Sequence, residues 1–124
     1  MKAKYFTEDE FRCQCGCGQI KVDDELLKKL DALREVVNFP LQVSSGYRCP
    51  DHPIEARKKT PGAHSTGKAV DLLVSREKAY KVLYVALEFG FPGVGVQQKG
   101  SNRFIHLDIC TAEDGFSRPT VWSY

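Results

Sequence analysis

Apolar and polar positions alternate in ways that divide the chain into helices and strands. Leu26, Leu27, Leu30, Leu33 and Val37 recur at three- and four-residue intervals, so one apolar stripe runs along a helix from Asp24 to Val37. Asp23, Asp24 and Glu25 stand at its positive end, and Asn38 and Pro40 close it. A second helix is expected from Arg76 to Phe89, with Ser75 before it and Gly90 after it. Its apolar set, Ala79, Val82, Leu83, Ala86, Leu87 and Phe89, reads as a broad buried face. Shorter runs read as strands: Leu41–Ser45, Lys68–Val74, Val94–Gln98 and Arg103–Cys110. The last two are joined by Lys99-Gly-Ser-Asn102, a hairpin turn.

Strands and helices mix without a regular strand–helix alternation, which places the chain in the α+β class. With 124 residues there is room for one domain, 1–124, in which residues 1–20 look irregular and rich in Cys and Gly. The segment from Gly46 to Gly62, including the polar run Glu55–Thr60, reads as a loop.

Alternation in the strands singles out polar residues on otherwise apolar elements. Ile105, Leu107 and Ile109 share one face, and Phe104, His106, Asp108 and Cys110 the other. His106 and Asp108 therefore lie side by side, their Cβ atoms roughly 6–7 Å apart, and are expected to look into solvent or a cleft. Asp71 sits between Val70 and Leu72, where a carboxylate is costly unless paired or bound to a metal. His64 precedes it by a short loop that ends at Gly67. Two imidazoles and a carboxylate suit Zn²⁺ in a site that keeps one open position. Two plainer readings coexist with this one: Asp71 paired to an arginine such as Arg48, and His106 with Asp108 as a solvated strand face.

Composition narrows the function classes. Eighteen basic and 16 acidic residues leave a formal charge of +2, with no basic stripe to suggest nucleic acid. No run approaches the ~20 apolar residues of a membrane span. Met1–Glu10 contains no apolar signal core, so the expectation is cytoplasmic synthesis, with any work on a cell wall following release by another factor or carriage on a virion. Five cysteines, unevenly spaced, do not read as a disulfide framework. Cys13, Cys15 and Cys17 form a C-x-C-x-C run that departs from the usual zinc spacing. Reduced thiols in a Gly-rich turn are the simpler expectation, Cys49 being a fourth ligand only if the fold brings it near. His52 reads as a surface loop residue, and Trp122 and Tyr124 as anchors of the C-terminus.

Three segments in order resemble the zinc D-alanyl-D-alanine carboxypeptidase family, whose fold is shared with the hedgehog signalling domain: Ser45-Gly-Tyr-Arg48, His64-Ser-Thr-Gly-Lys-Ala-Val-Asp71 and Phe104-Ile-His-Leu-Asp108. The Cys-x-Cys-Gly-Cys-Gly start and the Trp-Ser-Tyr end are similar to small phage and prophage members. The resemblance implies a central antiparallel sheet packed with helices, one zinc held by His64, Asp71 and His106, and cleavage of peptides containing D-amino acids in peptidoglycan. It implies for Arg48 the stabilisation of an oxyanion or the grip of a substrate carboxylate, with Tyr47 beside it at the substrate. The chain departs from the family in two places. Gly62 replaces a serine two residues before the first ligand. Arg103, which cannot accept a proton, stands where several members carry an acidic general base. Asp108 is the substitute, as base or as the group that orients a ligand histidine. A monomeric peptidase acting on peptidoglycan stem peptides is the reading; the alternative is a zinc-containing wall-binding or virion module of little or no activity.

Overall fold

The computed structural model describes residues 3–124. A five-stranded sheet forms its centre, from β1 (Gln42–Ser45), β2 (Ala69–Leu73), β3 (Gly93–Gln97), β4 (Phe104–Asp108) and β5 (Thr120–Ser123), in the order β1-β2-β4-β3-β5. β1, β2, β4 and β3 pair antiparallel. β5 adds to β3 in parallel, so the sheet is mixed rather than purely antiparallel. The C-terminal tail, expected only to anchor itself, thus supplies an edge strand. Two long helices, α1 (Asp24–Val37) and α3 (Arg76–Glu88), contribute to the apolar core, and a short helical turn, α2 (Pro53–Ala56), lies in the loop after β1.

The local causes are those of the pattern. The Asp23 carboxylate accepts the Glu25 N–H at 2.8 Å, satisfying a donor that α1 itself cannot use. Asn38 ends α1 in the left-handed region at φ 58°. All five residues of the α1 stripe are buried. The α3 face is narrower than expected: Ala79, Val82, Val85 and Ala86 are buried, whereas Leu87 is 57% exposed. Helical geometry explains the exchange, because α3 packs through its 79–82–86 line and Leu87 lies to one side of it.

Each strand divides the molecule in two. Val70, Leu72, Ile105, Leu107 and Val94 point into the core with the helices. The alternate positions form the opposite face, and cross-strand register aligns them: Asp71 pairs with His106, His106 with Gly95, and Gly95 with Trp122. One residue row further, Ala69, Asp108, Gly93 and Thr120 are neighbours.

Residues 3–20 are more regular than their composition suggests. Glu8–Phe11 form a 3₁₀ turn whose Phe11 is buried, and Phe6 packs edge-on against it. No helix among the described residues is long and apolar enough to cross a membrane.

Candidate metal centre

His64 arrives on a short 3₁₀ turn, Ala63–Thr66, that Gly67 ends at φ 78°, a conformation open to glycine without strain. That reversal directs the chain into β2, and the register carries Asp71 opposite His106 on β4. The three side chains meet: His64 Nε2 lies 3.2 Å from Asp71 Oδ1, His106 Nδ1 lies 3.1 Å from the same oxygen, and the two nitrogens are 3.3 Å apart. All three residues are buried.

The outer sides of the two rings define their protonation. His64 Nδ1–H donates to the Gly46 carbonyl at 2.7 Å, and His106 Nε2–H donates to Asp108 Oδ2 at 2.7 Å. Those bonds place each ring proton on the outward nitrogen, so the inward nitrogens present lone pairs. Two lone pairs and a carboxylate then face one another at close range, a repulsive arrangement unless a cation lies among them. One ligand atom from each residue lies within 4.8 Å of the others, and two nitrogens with one oxygen are a donor set that Zn²⁺ accepts.

A proton on an inward nitrogen relieves that repulsion as a cation does: burial alone would raise the Asp71 pKa, yet hydrogen bonds from the His106 and His64 rings, when a ring turns an N–H towards it, hold the carboxyl far below the usual carboxylate range. Burial likewise works against a charged His106, and is outweighed by its contacts with Asp108 and Asp71, so its pKa is raised.

Asp108 does not look into a cleft. It is wholly buried beneath the C-terminal tail, where Arg118 clamps it through Nε to Oδ1 at 3.0 Å and through a second nitrogen to Oδ2 at 2.7 Å. The Arg118 guanidinium lies over the rings of Phe116 and Trp122, at 5.1 and 5.0 Å. Trp122 in turn sits 5.0 Å from the His106 ring. A line of contacts thus runs from Arg118 through Asp108 to the outer nitrogen of His106. Arg118 carried no signal in the sequence, because its partner is ten residues away across a turn.

Beside the centre a groove of about 720 Å³ opens, with His64, Asp71, His106, Arg48, Trp122 and Tyr124 in its walls. Arg48 is only 15% exposed and lies 3.5 Å from Asp71 Oδ2 and 3.4 Å from Glu55. Asp71 therefore has Arg48 as a partner while it also belongs to the three residues that could hold a metal ion. Glu55, read from the sequence as part of a polar loop, is 1% exposed. It accepts from the Gly62 N–H at 2.7 Å and from Lys58 at 3.0 Å, and so ties the loop before His64 to Arg48. The loop closes over α2 and removes that carboxylate from water, which no local pattern discloses.

Other positions fall elsewhere. Tyr47 is not in the groove wall; it is buried with Cys13 and Cys49. Arg103 lines a separate surface hollow and donates to the Gly100 carbonyl. Cys110 is buried against Thr66, away from the groove. His52 caps α2 by accepting the Ile54 N–H and also borders the groove.

The model of one family, described as Peptidase M15, matches residues 4–108. The chain belongs to the Peptidase M15 family. That match spans the three motif segments, and M15 peptidases are zinc-dependent, which agrees with the donor set assembled here. No curated protein matches the chain. The M15 match stops at Asp108, so Arg118, Trp122 and β5 lie beyond it.

Proposed function

We propose that this protein hydrolyses peptide bonds involving D-amino acids in the stem peptides of peptidoglycan, as a carboxypeptidase or an endopeptidase. It would reach the wall after release by another factor or as part of a virion, and work as a monomer. The observation that carries the reading is the convergence of His64 Nε2, Asp71 Oδ1 and His106 Nδ1 at the floor of an open groove. Zinc bound to such a set supplies Lewis acidity towards a carbonyl and makes a water more acidic.

The chain's own groups have distinct tasks. Arg48, held in place by Ser45 Oγ at 3.1 Å and by Glu55, offers a permanent positive charge beside Asp71. It is suited to a developing oxyanion, or to a terminal carboxylate in a carboxypeptidase substrate. Trp122 and Tyr124 supply apolar wall against which a short peptide can lie. Asp108 is a positioning residue in this reading: its carboxylate is fully enclosed and aimed at the outer nitrogen of His106. It fixes the ring so that Nδ1 faces the centre.

Purified peptidoglycan digested with the zinc-loaded protein and resolved by mass spectrometry tests the proposal. Loss of a terminal D-alanine identifies a carboxypeptidase, and conversion of cross-linked dimers to monomers an endopeptidase. Chelator should abolish either product and zinc restore it. Zinc-loaded protein that binds the wall and releases nothing over a long incubation would refute turnover. That outcome would point to a wall-binding module, a reading favoured by the lack of any acidic side chain other than Asp71 among the described residues that line the groove.

A further inference from the structure

Away from the groove, four cysteines that are distant in sequence or unconventionally spaced share one small volume. One sulfur from each of Cys13, Cys15, Cys17 and Cys49 lies within 4.8 Å of the others. Cys13 Sγ and Cys49 Sγ both lie 3.5 Å from Cys15 Sγ. A tetrahedral ion with metal–sulfur bonds of about 2.3 Å sets its ligands roughly 3.8 Å apart, and a disulfide requires about 2.05 Å. The observed separations match the first and are far from the second. All five cysteines are free thiols.

Local backbone explains how a C-x-C-x-C run manages this. In an extended strand alternate side chains project on one face, roughly 6–7 Å apart, too far to share an ion. Gly16 and Gly18 adopt φ 95° and 77°, and the chain curls around the sulfurs before it closes with a bridge between Arg12 and Ile20. The Cys13 N–H donates to the Gln19 carbonyl at 2.9 Å, pinning the base of that curl. Two backbone donors point at sulfur, Cys49 N–H to Cys13 Sγ at 3.3 Å and Gln19 N–H to Cys17 Sγ at 3.4 Å. Such donors favour thiolate over thiol. Cys49 comes from the loop after β1, brought in because the Tyr47 N–H bonds to the Phe11 carbonyl at 3.0 Å.

We propose that Cys13, Cys15, Cys17 and Cys49 form a second metal site, a closed four-thiolate site for zinc with a structural role. Four sulfur ligands leave no open position for a substrate, and soft thiolates select zinc over the hard divalent cations. Its consequence is mechanical. The ion joins the N-terminal curl to the residue next to Arg48, so it holds the loop that carries Arg48 into the groove wall. This inference rests on a different set of residues from the histidine centre and stands without the peptidase reading.

Protein prepared under reducing conditions is measured for zinc by elemental analysis, and after exchange into Co²⁺ by absorption. Wild type should hold two zinc ions per chain. The pair Cys15→Ser and Cys17→Ser, both exposed side chains, should hold one. The pair His64→Ala and His106→Ala should also hold one. The near-ultraviolet thiolate-to-cobalt charge-transfer band should appear in wild type and in the histidine variant, and vanish in the cysteine variant. Should the cysteine variant fail to fold, the wild-type and histidine-variant spectra still decide. One zinc in wild type without the charge-transfer band, or a disulfide within the cluster by mass, would overturn the site. Failure of the histidine centre alone would leave the cobalt–sulfur band intact, so the two failures are distinguishable.

Discussion

Asp108 shows how much a single side chain can carry when it is fully enclosed. Burial alone would raise its pKa, but the hydrogen bond from His106 and the clamp by Arg118 bring the carboxyl down to about 2 from an ordinary 3.8. A folded pKa below the unfolded one means its charge stabilises the fold fully above pH ~4 and ceases to do so as pH falls towards ~2. The effect is worth about 2 kcal/mol. In metal-free protein, urea unfolding free energies should drop across that window for wild type. In Asp108→Asn the drop should be smaller, so the two curves converge at low pH. The same substitution should weaken zinc at the histidine centre by about 10–100-fold in a chelator competition, because an amide no longer compels the His106 proton onto Nε2. Unchanged zinc affinity with turnover abolished would instead assign Asp108 a direct part in proton transfer.

At the scale of the elements, β3 is built as Gly-Val-Gly-Val, with valines towards the helices and glycines towards the site. The glycines make room. A Cβ on Gly93 would stand 2.0 Å from Asp108 Oδ1, and one on Gly95 2.6 Å from Trp122 Nε1. Gly93→Ala should therefore destabilise the protein by about 1–3 kcal/mol, read as a lower urea midpoint with the same slope. Gly95→Ala should push the indole off His106. Because Trp122 is the only tryptophan, a shift in intrinsic fluorescence reports that movement directly. An unchanged spectrum would mean that the parallel strand β5 adapts by sliding, and that Trp122 does not depend on Gly95.

Across the whole molecule the sheet separates two kinds of chemistry, an apolar layer beneath and a buried polar site above. Leu30 is completely buried between α1 and the rest of the core, so Leu30→Ala should cost about 2–5 kcal/mol in chemical denaturation. Val121, 65% exposed on the edge strand, should tolerate Ser within about 0.5 kcal/mol. Near-equal losses at the two positions would contradict this layering.

The two long helices, the four antiparallel strands and the two faces of the strands that carry Asp71 and His106 were legible along the chain, because hydrophobic spacing is a local property that burial then enforces; the short α2 was not, and its segment read as a loop. The α1 stripe, the alternation around Asp71 and His106, and the order of the three motif segments all belong to this kind. Tertiary structure alone decided the rest. It turned a tail into a parallel fifth strand, covered Asp108 with Arg118, sank Glu55 beneath Arg48, and carried Cys49 to a cysteine run whose spacing looked wrong. Each of these joins residues through the folding of a loop or an edge. Which buried charge meets which partner depends on distances in space that no periodicity encodes.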